Sequence, residues 1–207
     1  MFVKICGLRT PADVAAAVGA GADAVGFVLT DSPRQVTPAE VGRLVEAVPP
    51  GVLTVAVFGA EPLERVRREA RAAGVRAVQL HGDHPPEAFA ALRGTDPDDT
   101  GLVLVRATSA ASAGAGPTGG HGEDLLILDA PKPGSGESWD WSALGTSAPG
   151  GHWMLAGGLA PHNVADAIAA ARPWGVDVSS GVESRRGVKD HGLIADFVAR
   201  AKAAGAE

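Results

Sequence analysis

Short runs of apolar, β-branched residues alternate along the chain with longer segments that carry helical patterns. Eight such runs, each bounded by turn residues, begin near Phe2, Asp23, Val52, Val75, Gly101, Asp124, His152 and Gly175. They recur at intervals of about 25 residues, which is the length that one strand, one helix and two loops need in an α/β repeat. The pattern therefore predicts eight successive β/α units.

Three of the intervening segments, residues 11–18, 38–45 and 62–70, open with a proline and continue with a helical pattern. Proline is well tolerated in the first turn of a helix, so these segments are predicted helices. The segment 108–122 differs, because it is rich in Ala, Gly and Ser and has no apolar period. We expect mostly loop after the fifth strand, and seven helices in all.

A weak internal repeat supports the count of eight strands. Gly21, Gly74, Gly122 and Gly175 each introduce an even-numbered strand, at a spacing of about two β/α units. The predicted fold class is α/β, a single (β/α)8 TIM barrel over residues 1–207 in which loop replaces the helix after strand five. An open, doubly wound sheet is the alternative.

Composition and charge narrow the possible partners. The 207 residues are 45% hydrophobic and 20% charged, which is ordinary for a globular protein, and the net charge of −6 disfavours binding to nucleic acid or an anionic membrane. A single cysteine excludes an internal disulfide, and neither a signal peptide pattern nor a membrane span is evident. We expect a cytoplasmic protein, either a monomer or a homodimer.

Polar residues occur at one end of several strands that should be apolar on both faces. With a period of two, the pairs that share a face at the carboxyl ends are Lys4 with Cys6, Gln79 with His81, Ile127 with Asp129, and Asp177 with Ser179. Barrels of this type place their active sites at that end, although polar strand ends also suit solvent. The clustering predicts an active site there.

Cys6 and Asp129 are the candidate proton-transfer residues of this cluster. An isolated cysteine is often a small buried apolar residue, but the cation of Lys4 would favour a thiolate at Cys6. Asp129 directly ends an apolar run, where a cap is the alternative to an acid or base. His81 has no partners at the spacing of metal ligands, so no metal is predicted.

Two glycine turns, residues 156–163 and 179–183, follow the last two strands. Loops at these positions form the common phosphate site of such barrels, where backbone amides supply positive potential. Neither a Walker A sequence nor a dinucleotide-binding glycine pattern follows the first strand, so no nucleotide cofactor is expected. A phosphorylated small molecule is the predicted ligand.

The chain resembles the phosphoribosylanthranilate isomerase family of tryptophan biosynthesis from residue 3 to about residue 200. The matching motifs are Lys4-Ile-Cys-Gly7, Ser32-Pro-Arg34, Val78-Gln-Leu-His-Gly82, Leu128-Asp129, Gly134-Ser-Gly136, Trp139-Asp-Trp141, Leu155-Ala-Gly-Gly-Leu159, Asp177-Val-Ser-Ser-Gly-Val-Glu183 and Gly187-Val-Lys-Asp190. Glu137 stands where the family pattern suggests Lys, and residues 109–121 match no motif.

The resemblance implies an Amadori rearrangement of a ribosylamine without a cofactor. Asp129 would protonate the furanose ring oxygen as general acid, and Cys6 would remove the C2 proton as general base. The implied substrate-binding residues are Arg34, on the anthranilate carboxylate, and Asp177, on a ribose hydroxyl, with Gln79 and His81 beside them. The implied phosphate site consists of Gly157, Gly158, Ser180 and Gly181.

Two other functions share much of this pattern. The histidine-pathway sugar isomerase catalyses the same rearrangement but would place Asp after strand one, and an enzyme that accepts both substrates is also possible. A non-catalytic phosphosugar-binding barrel would need the phosphate site without the proton-transfer pair.

Overall fold

The computed structural model describes residues 1–93, 101–109, 117–130, 141, 144 and 148–205. Eight parallel strands form a closed barrel in sequence order, with β8 paired to β1. The strands are β1 Phe2–Cys6, β2 Ala24–Val28, β3 Leu53–Phe58, β4 Ala77–His81, β5 Val103–Ser109, β6 Leu125–Asp129, β7 Trp153–Leu155 and β8 Gly175–Val178. The closed barrel confirms the predicted fold and excludes the open sheet.

Six α-helices occur in the described part of the chain. They are α1 Pro11–Gly19, α2 Pro38–Val45, α3 Leu63–Ala73, α4 Pro86–Arg93, α5 Val164–Ala171 and α6 His191–Ala204. The first three agree closely with the predicted segments. Helices α1 and α2 each begin with a capping box, in which Thr10 or Thr37 accepts a backbone N–H and an acidic residue bonds back to the cap.

The connection between β5 and β6 differs from the other β/α units. Residues 117–122 form turns without a helix, in agreement with the predicted loop, and residues 110–116 lie outside the described residues. On the outer face of β5, Arg106 forms an ion pair of 3.1 Å with Glu123, and both side chains are almost inaccessible. The seventh expected helix would fall between β6 and β7, where most residues from 131 to 147 also lie outside the description.

Side chains inside the barrel are apolar in the middle and polar toward the carboxyl ends of the strands. Ala24, Val55, Val105, Ile127 and Met154 pack together in the interior, and a larger apolar layer lies between the strands and the helices. The pleat of each strand therefore directs the next inward side chain into the mouth of the barrel.

A short hairpin follows the last barrel strand. After a 3₁₀ turn at Ser180–Val182, strands β9 Glu183–Arg185 and β10 Val188–Lys189 pair antiparallel. Helix α6 then begins with Asp190 as its cap. Among the described residues, no helix combines the length and the hydrophobicity that a membrane span requires.

Candidate active site

A cavity of about 390 Å³ opens at the carboxyl ends of the barrel strands. Nine of the predicted site residues line it: Cys6, Arg34, Gln79, His81, Asp129, Gly157, Gly158, Asp177 and Ser180. Gly181 lines a second, smaller cleft beside it, which shares Gly158 and Ser180 with the main cavity. Residues from seven strand-to-loop junctions thus converge on one space, as the clustering of polar strand ends predicted.

Cys6 lies at the end of β1, only 7% exposed, above a buried ion pair. The Lys4 Nζ donates to Asp177 Oδ1 at 2.9 Å, and Lys4 is itself fully buried. Burial raises the pKa of the Cys6 thiol, and the opposing effect of the Lys4 ammonium is smaller. The sequence correctly suggested that Lys4 adjoins the thiol, but burial outweighs the cation, so Cys6 rests as a thiol.

The Lys4 ammonium remains charged in this buried position. Burial by itself lowers the pKa of Lys4, but the carboxylate of Asp177 and the neighbouring Cys6 more than offset it, and the pKa is raised. A permanent positive charge therefore lies beneath the thiol, where it would stabilise a thiolate once one forms.

Gly26 provides space for this arrangement and was not singled out in the sequence. It pairs with Cys6 across β1 and β2, and a Cβ at Gly26 would lie 3.0 Å from the Cys6 Sγ and 3.3 Å from the Lys4 Cε. A glycine inside an apolar strand often marks such a close approach, and this was the available signal.

Asp129 ends β6 on the opposite side of the cavity. Its Oδ1 accepts a hydrogen bond from the Ala130 N–H at 2.7 Å, and His81 Nε2 lies 3.9 Å from its Oδ2. Burial raises the pKa of the Asp129 carboxyl above its usual range, although the Ala130 N–H and His81 oppose the shift. Gly157, at φ +83°, permits this position, since a Cβ there would lie 2.7 Å from the carboxylate.

Gln79 lies deeper in the barrel, two residues before His81. Its side chain is 2% exposed, and its Oε1 has no hydrogen-bond partner among the described residues. A buried acceptor without a partner is unfavourable unless something else satisfies it. The orphaned oxygen beside the cavity is consistent with a polar group of a bound molecule as its partner.

Arg34, in the loop after β2, is held by a residue from the hairpin after β8. Its Nε and Nη2 donate to the two carboxylate oxygens of Glu183 at 2.6 and 3.0 Å. Burial alone would raise the pKa of Glu183, but hydrogen bonds from Arg34, Gly187 and Lys189 lower it to about 2. Glu183 was part of a matched motif, but no role was predicted for it from the sequence.

The two glycine turns meet at the remaining side of the cavity. Gly157 and Gly158 both have positive φ, of 83° and 69°, and a Cβ at Gly181 would overlap the backbone oxygen of Leu159. Arg34 is the only Lys or Arg among the described lining residues. An anion at the turns would therefore depend on backbone amides rather than on side-chain cations.

Within the described residues, no group of three or more His, Cys, Asp or Glu side chains is placed to hold a metal ion. The expectation of a reaction without a metal or nucleotide cofactor stays a prediction. The motifs at 134–136 and 139–140, together with Glu137, lie outside the described residues.

Comparison with known proteins agrees with this geometry. The family model for N-(5'-phosphoribosyl)anthranilate (PRA) isomerase matches residues 3–200. The chain belongs to the PRA isomerase family. The PRA isomerase of Symbiobacterium thermophilum is 43% identical, with 98% of each chain covered.

Solved structures extend the likeness to the whole barrel. The crystal structure of TrpF from Jonesia denitrificans is 45% identical, with a TM-score of 0.88 and coverage of 99% of this chain and 98% of that one. A PRA isomerase in complex with reduced 1-(o-carboxyphenylamino)-1-deoxyribulose 5-phosphate is 32% identical, with a TM-score of 0.81 and coverage of 98% and 99%. The resemblance drawn from the motifs is confirmed, and with it an isomerase function in tryptophan biosynthesis.

Proposed function

We propose that Cys6 and Asp129 perform the Amadori rearrangement of N-(5'-phosphoribosyl)anthranilate as general base and general acid. Asp129 donates its proton to the furanose ring oxygen as the bond from that oxygen to C1 breaks, which gives a Schiff base. Cys6 then takes the proton from C2, and the resulting enolamine tautomerises to the 1-deoxy-ketose. Atoms and electrons balance within the substrate, so the reaction needs no external oxidant or reductant.

The observation that carries the proposal is the pair of opposed groups across one cavity. Burial raises the pKa of Asp129, which favours the protonated form that an acid requires. Burial also keeps Cys6 protonated at rest, so the catalytic form is a thiolate with a neutral carboxyl. That form holds the same number of protons as thiol with carboxylate, so moving one proton within the site produces it.

The other lining residues supply contacts for both ends of the substrate. Arg34 suits the anthranilate carboxylate, because a guanidinium can bind two oxygens at once. Asp177, Gln79 and His81 line the same cavity as the proton-transfer residues and offer partners for ribose hydroxyls. The glycine turns at 157–158 and 180–181 suit the phosphate, and the relative crystallised with the reduced product analogue binds a ligand that carries both a carboxylate and a phosphate.

The test is the turnover of Cys6→Ala and Asp129→Asn. Each is expected to lose about 10²- to 10⁴-fold in kcat with the PRA substrate, because each removes one proton-transfer group. Both should still bind the reduced product analogue by calorimetry, since phosphate and carboxylate contacts remain. Near-normal turnover in either variant would reject the assignment, and equal turnover of the histidine-pathway substrate would establish a dual enzyme.

We also propose where the enzyme is located and how it assembles. We expect a cytoplasmic enzyme, as its biosynthetic role suggests, present as a monomer or a homodimer. A structure of monomers generated from the dimeric PRA isomerase of Thermotoga maritima is 32% identical, with a TM-score of 0.82 and coverage of 98% of this chain and 99% of that one. Sedimentation of the purified chain decides between the two states.

A further inference from the structure

We propose that Glu183 is a positioning residue that orients the Arg34 guanidinium toward the carboxylate of the substrate. The inference rests on the proposed role of Arg34 and adds a second residue, outside the cavity wall, to the recognition of the anthranilate ring. Glu183 itself is not among the lining residues. It would therefore act through Arg34 rather than by touching the substrate.

The geometry of the ion pair leaves one edge of the guanidinium available. A guanidinium has five N–H donors in a planar fork. Glu183 occupies the edge formed by Nε and Nη2 with both of its oxygens. Among the described residues no acceptor contacts Nη1, so the edge formed by Nη1 and the second Nη2 proton is free to bind a carboxylate.

Glu183 is itself held rigidly by the hairpin that carries it. Its side chain is 4% exposed, its Oε1 accepts from the Lys189 Nζ at 3.0 Å and its Oε2 accepts from the Gly187 N–H at 2.9 Å. Lys189 also donates to the Ser179 backbone oxygen at 2.8 Å. A buried carboxylate with three partners has one orientation, and it therefore also determines the orientation of the Arg34 guanidinium bound to it.

The Arg34 side chain also crosses the end of β1, next to Cys6. A Cβ at Gly7 would lie 2.7 Å from the Arg34 Cδ and 3.1 Å from the Ser179 Oγ. The positive φ of Gly7 and its missing side chain thus let the arginine extend from the β2 loop toward the β8 hairpin. The guanidinium is in this way anchored across the mouth rather than left to solvent.

Arg9 also joins the β2 loop to the hairpin after β8, without a contact to the Arg34 guanidinium. The Arg9 Nη1 donates to the Pro33 oxygen at 3.3 Å and to the Gly187 oxygen at 3.2 Å. Removing Arg9 would loosen the hairpin from the β2 loop, whereas removing the Glu183 charge would release the arginine itself. The two substitutions separate the tethering of a loop from the positioning of a side chain.

The experiment compares two reduced product analogues that differ only in the ring carboxylate. One is reduced 1-(o-carboxyphenylamino)-1-deoxyribulose 5-phosphate, and the other is its phenylamino counterpart. Calorimetry gives the ratio of their Kd values for the native chain, Glu183→Gln, Arg34→Met and the double variant. Glu183→Gln is expected to raise the Kd of the carboxylated analogue about tenfold and to leave the Kd of the phenylamino analogue unchanged, because the contact that is lost is charge-assisted.

Arg34→Met should abolish the preference for the carboxylated analogue, and adding Glu183→Gln should then have no further effect. If Arg34→Met keeps the preference, the proposed role of Arg34 fails and this inference fails with it. If Arg34→Met abolishes the preference but Glu183→Gln does not, only the inference is lost.

Three further variants test whether Glu183→Gln acts indirectly, through loosening of the hairpin, through a general change of charge or through misfolding. Arg9→Met should preserve the preference for the carboxylated analogue, and a loss equal to that of Glu183→Gln would show that only tethering matters. Glu69→Gln makes the same chemical change in the Arg65 ion pair on α3 and should change neither Kd. Should Glu183→Gln not fold, Glu183→Asp keeps the charge with a shorter reach, and an undiminished preference there would count against the positioning role.

Discussion

The two sides of the active site bury their reactive groups, Cys6 more deeply than Asp129, and surround them differently. On the β1 and β8 side, Cys6 rests on the ion pair between Lys4 and Asp177, and the Glu183 pair with Arg34 lies close by. On the β6 side, Asp129 has a neighbouring backbone N–H at 2.7 Å and His81 at 3.9 Å. Charge is concentrated around the base and sparse around the acid.

This difference follows from what each group has to do. A buried acid needs only an environment that disfavours its charge, and burial beside weak partners provides that. A buried base must become charged during the reaction, so burial alone would oppose it. The Lys4 ammonium beneath Cys6 compensates for part of that cost, and the Asp177 carboxylate in turn keeps Lys4 charged.

Among changes to the surroundings of Cys6 and Asp129, removal of the Lys4 charge should produce the largest loss of kcat. Lys4→Met is expected to lower kcat about 100-fold, because the thiolate loses its nearest cation in a buried site. His81→Gln, the corresponding change beside Asp129, should cost less than about tenfold, since the imidazole is 36% exposed whereas Lys4 is buried. Steady-state kinetics of both variants measures the comparison.

The single cysteine of the chain allows the Lys4 effect to be measured without substrate. The rate of iodoacetamide alkylation against pH reports the Cys6 thiol alone, and Lys4→Met should move its pKa upward. Lys4→Met also leaves Asp177 buried and unpaired, so Lys4→Met with Asp177→Asn serves as a stability control. An unchanged alkylation pKa would contradict the role given to Lys4.

A plot of kcat/KM against pH should show a plateau, and kcat/KM should fall by about tenfold per pH unit on its acid side and on its alkaline side. The active form, thiolate with neutral carboxyl, holds the same number of protons as the form with thiol and carboxylate. The two forms therefore stay in a constant ratio as the pH changes, and activity follows the population of the second one. The acid limb then reports Asp129, at a pKa raised by burial, and the alkaline limb reports Cys6, also raised by burial. Activity is therefore expected to persist to alkaline pH before it declines.

The Cys6 limb can be assigned by comparison with the alkylation profile. The alkaline pKa of kcat/KM should coincide with the alkylation pKa of the native chain, because kcat/KM reports the free enzyme. Both should move together in Lys4→Met. An alkaline limb that stays fixed while the alkylation pKa moves would assign that limb to another group.

The same contrast shows what the sequence was able to predict. The barrel and the positions of Cys6 and Asp129 at its strand ends followed from local patterns, because strand periodicity and a polar residue at a strand end are visible within a few residues. The roles assigned to the two residues came from the family resemblance. The contact between Arg34 and Glu183 joins residues 149 apart in the chain and exists only because the barrel closes. The pKa of Cys6 was also beyond reach, since it depends on how burial balances against Lys4.

The smallest expected effect comes from Gly26, which makes room for the reactive thiol. Gly26→Ala should lower kcat/KM by about threefold, because its Cβ would lie 3.0 Å from the Cys6 Sγ, 3.2 Å from the Cys6 Cα and 3.3 Å from the Lys4 Cε, contacts that shifts of a few tenths of an ångström relieve. Gly157→Ala is the counterpart beside Asp129, but its Cβ would lie 2.4 Å from the Ala130 backbone nitrogen, and the substitution also strains a backbone at positive φ. Gly26→Ala should therefore keep its thermal stability and change the alkylation rate of Cys6, whereas Gly157→Ala should lower stability and leave alkylation unchanged. If Gly26→Ala alters neither turnover nor alkylation, the space beside the thiol is not limiting, and the sensitivity of the base to its surroundings lies in charge alone.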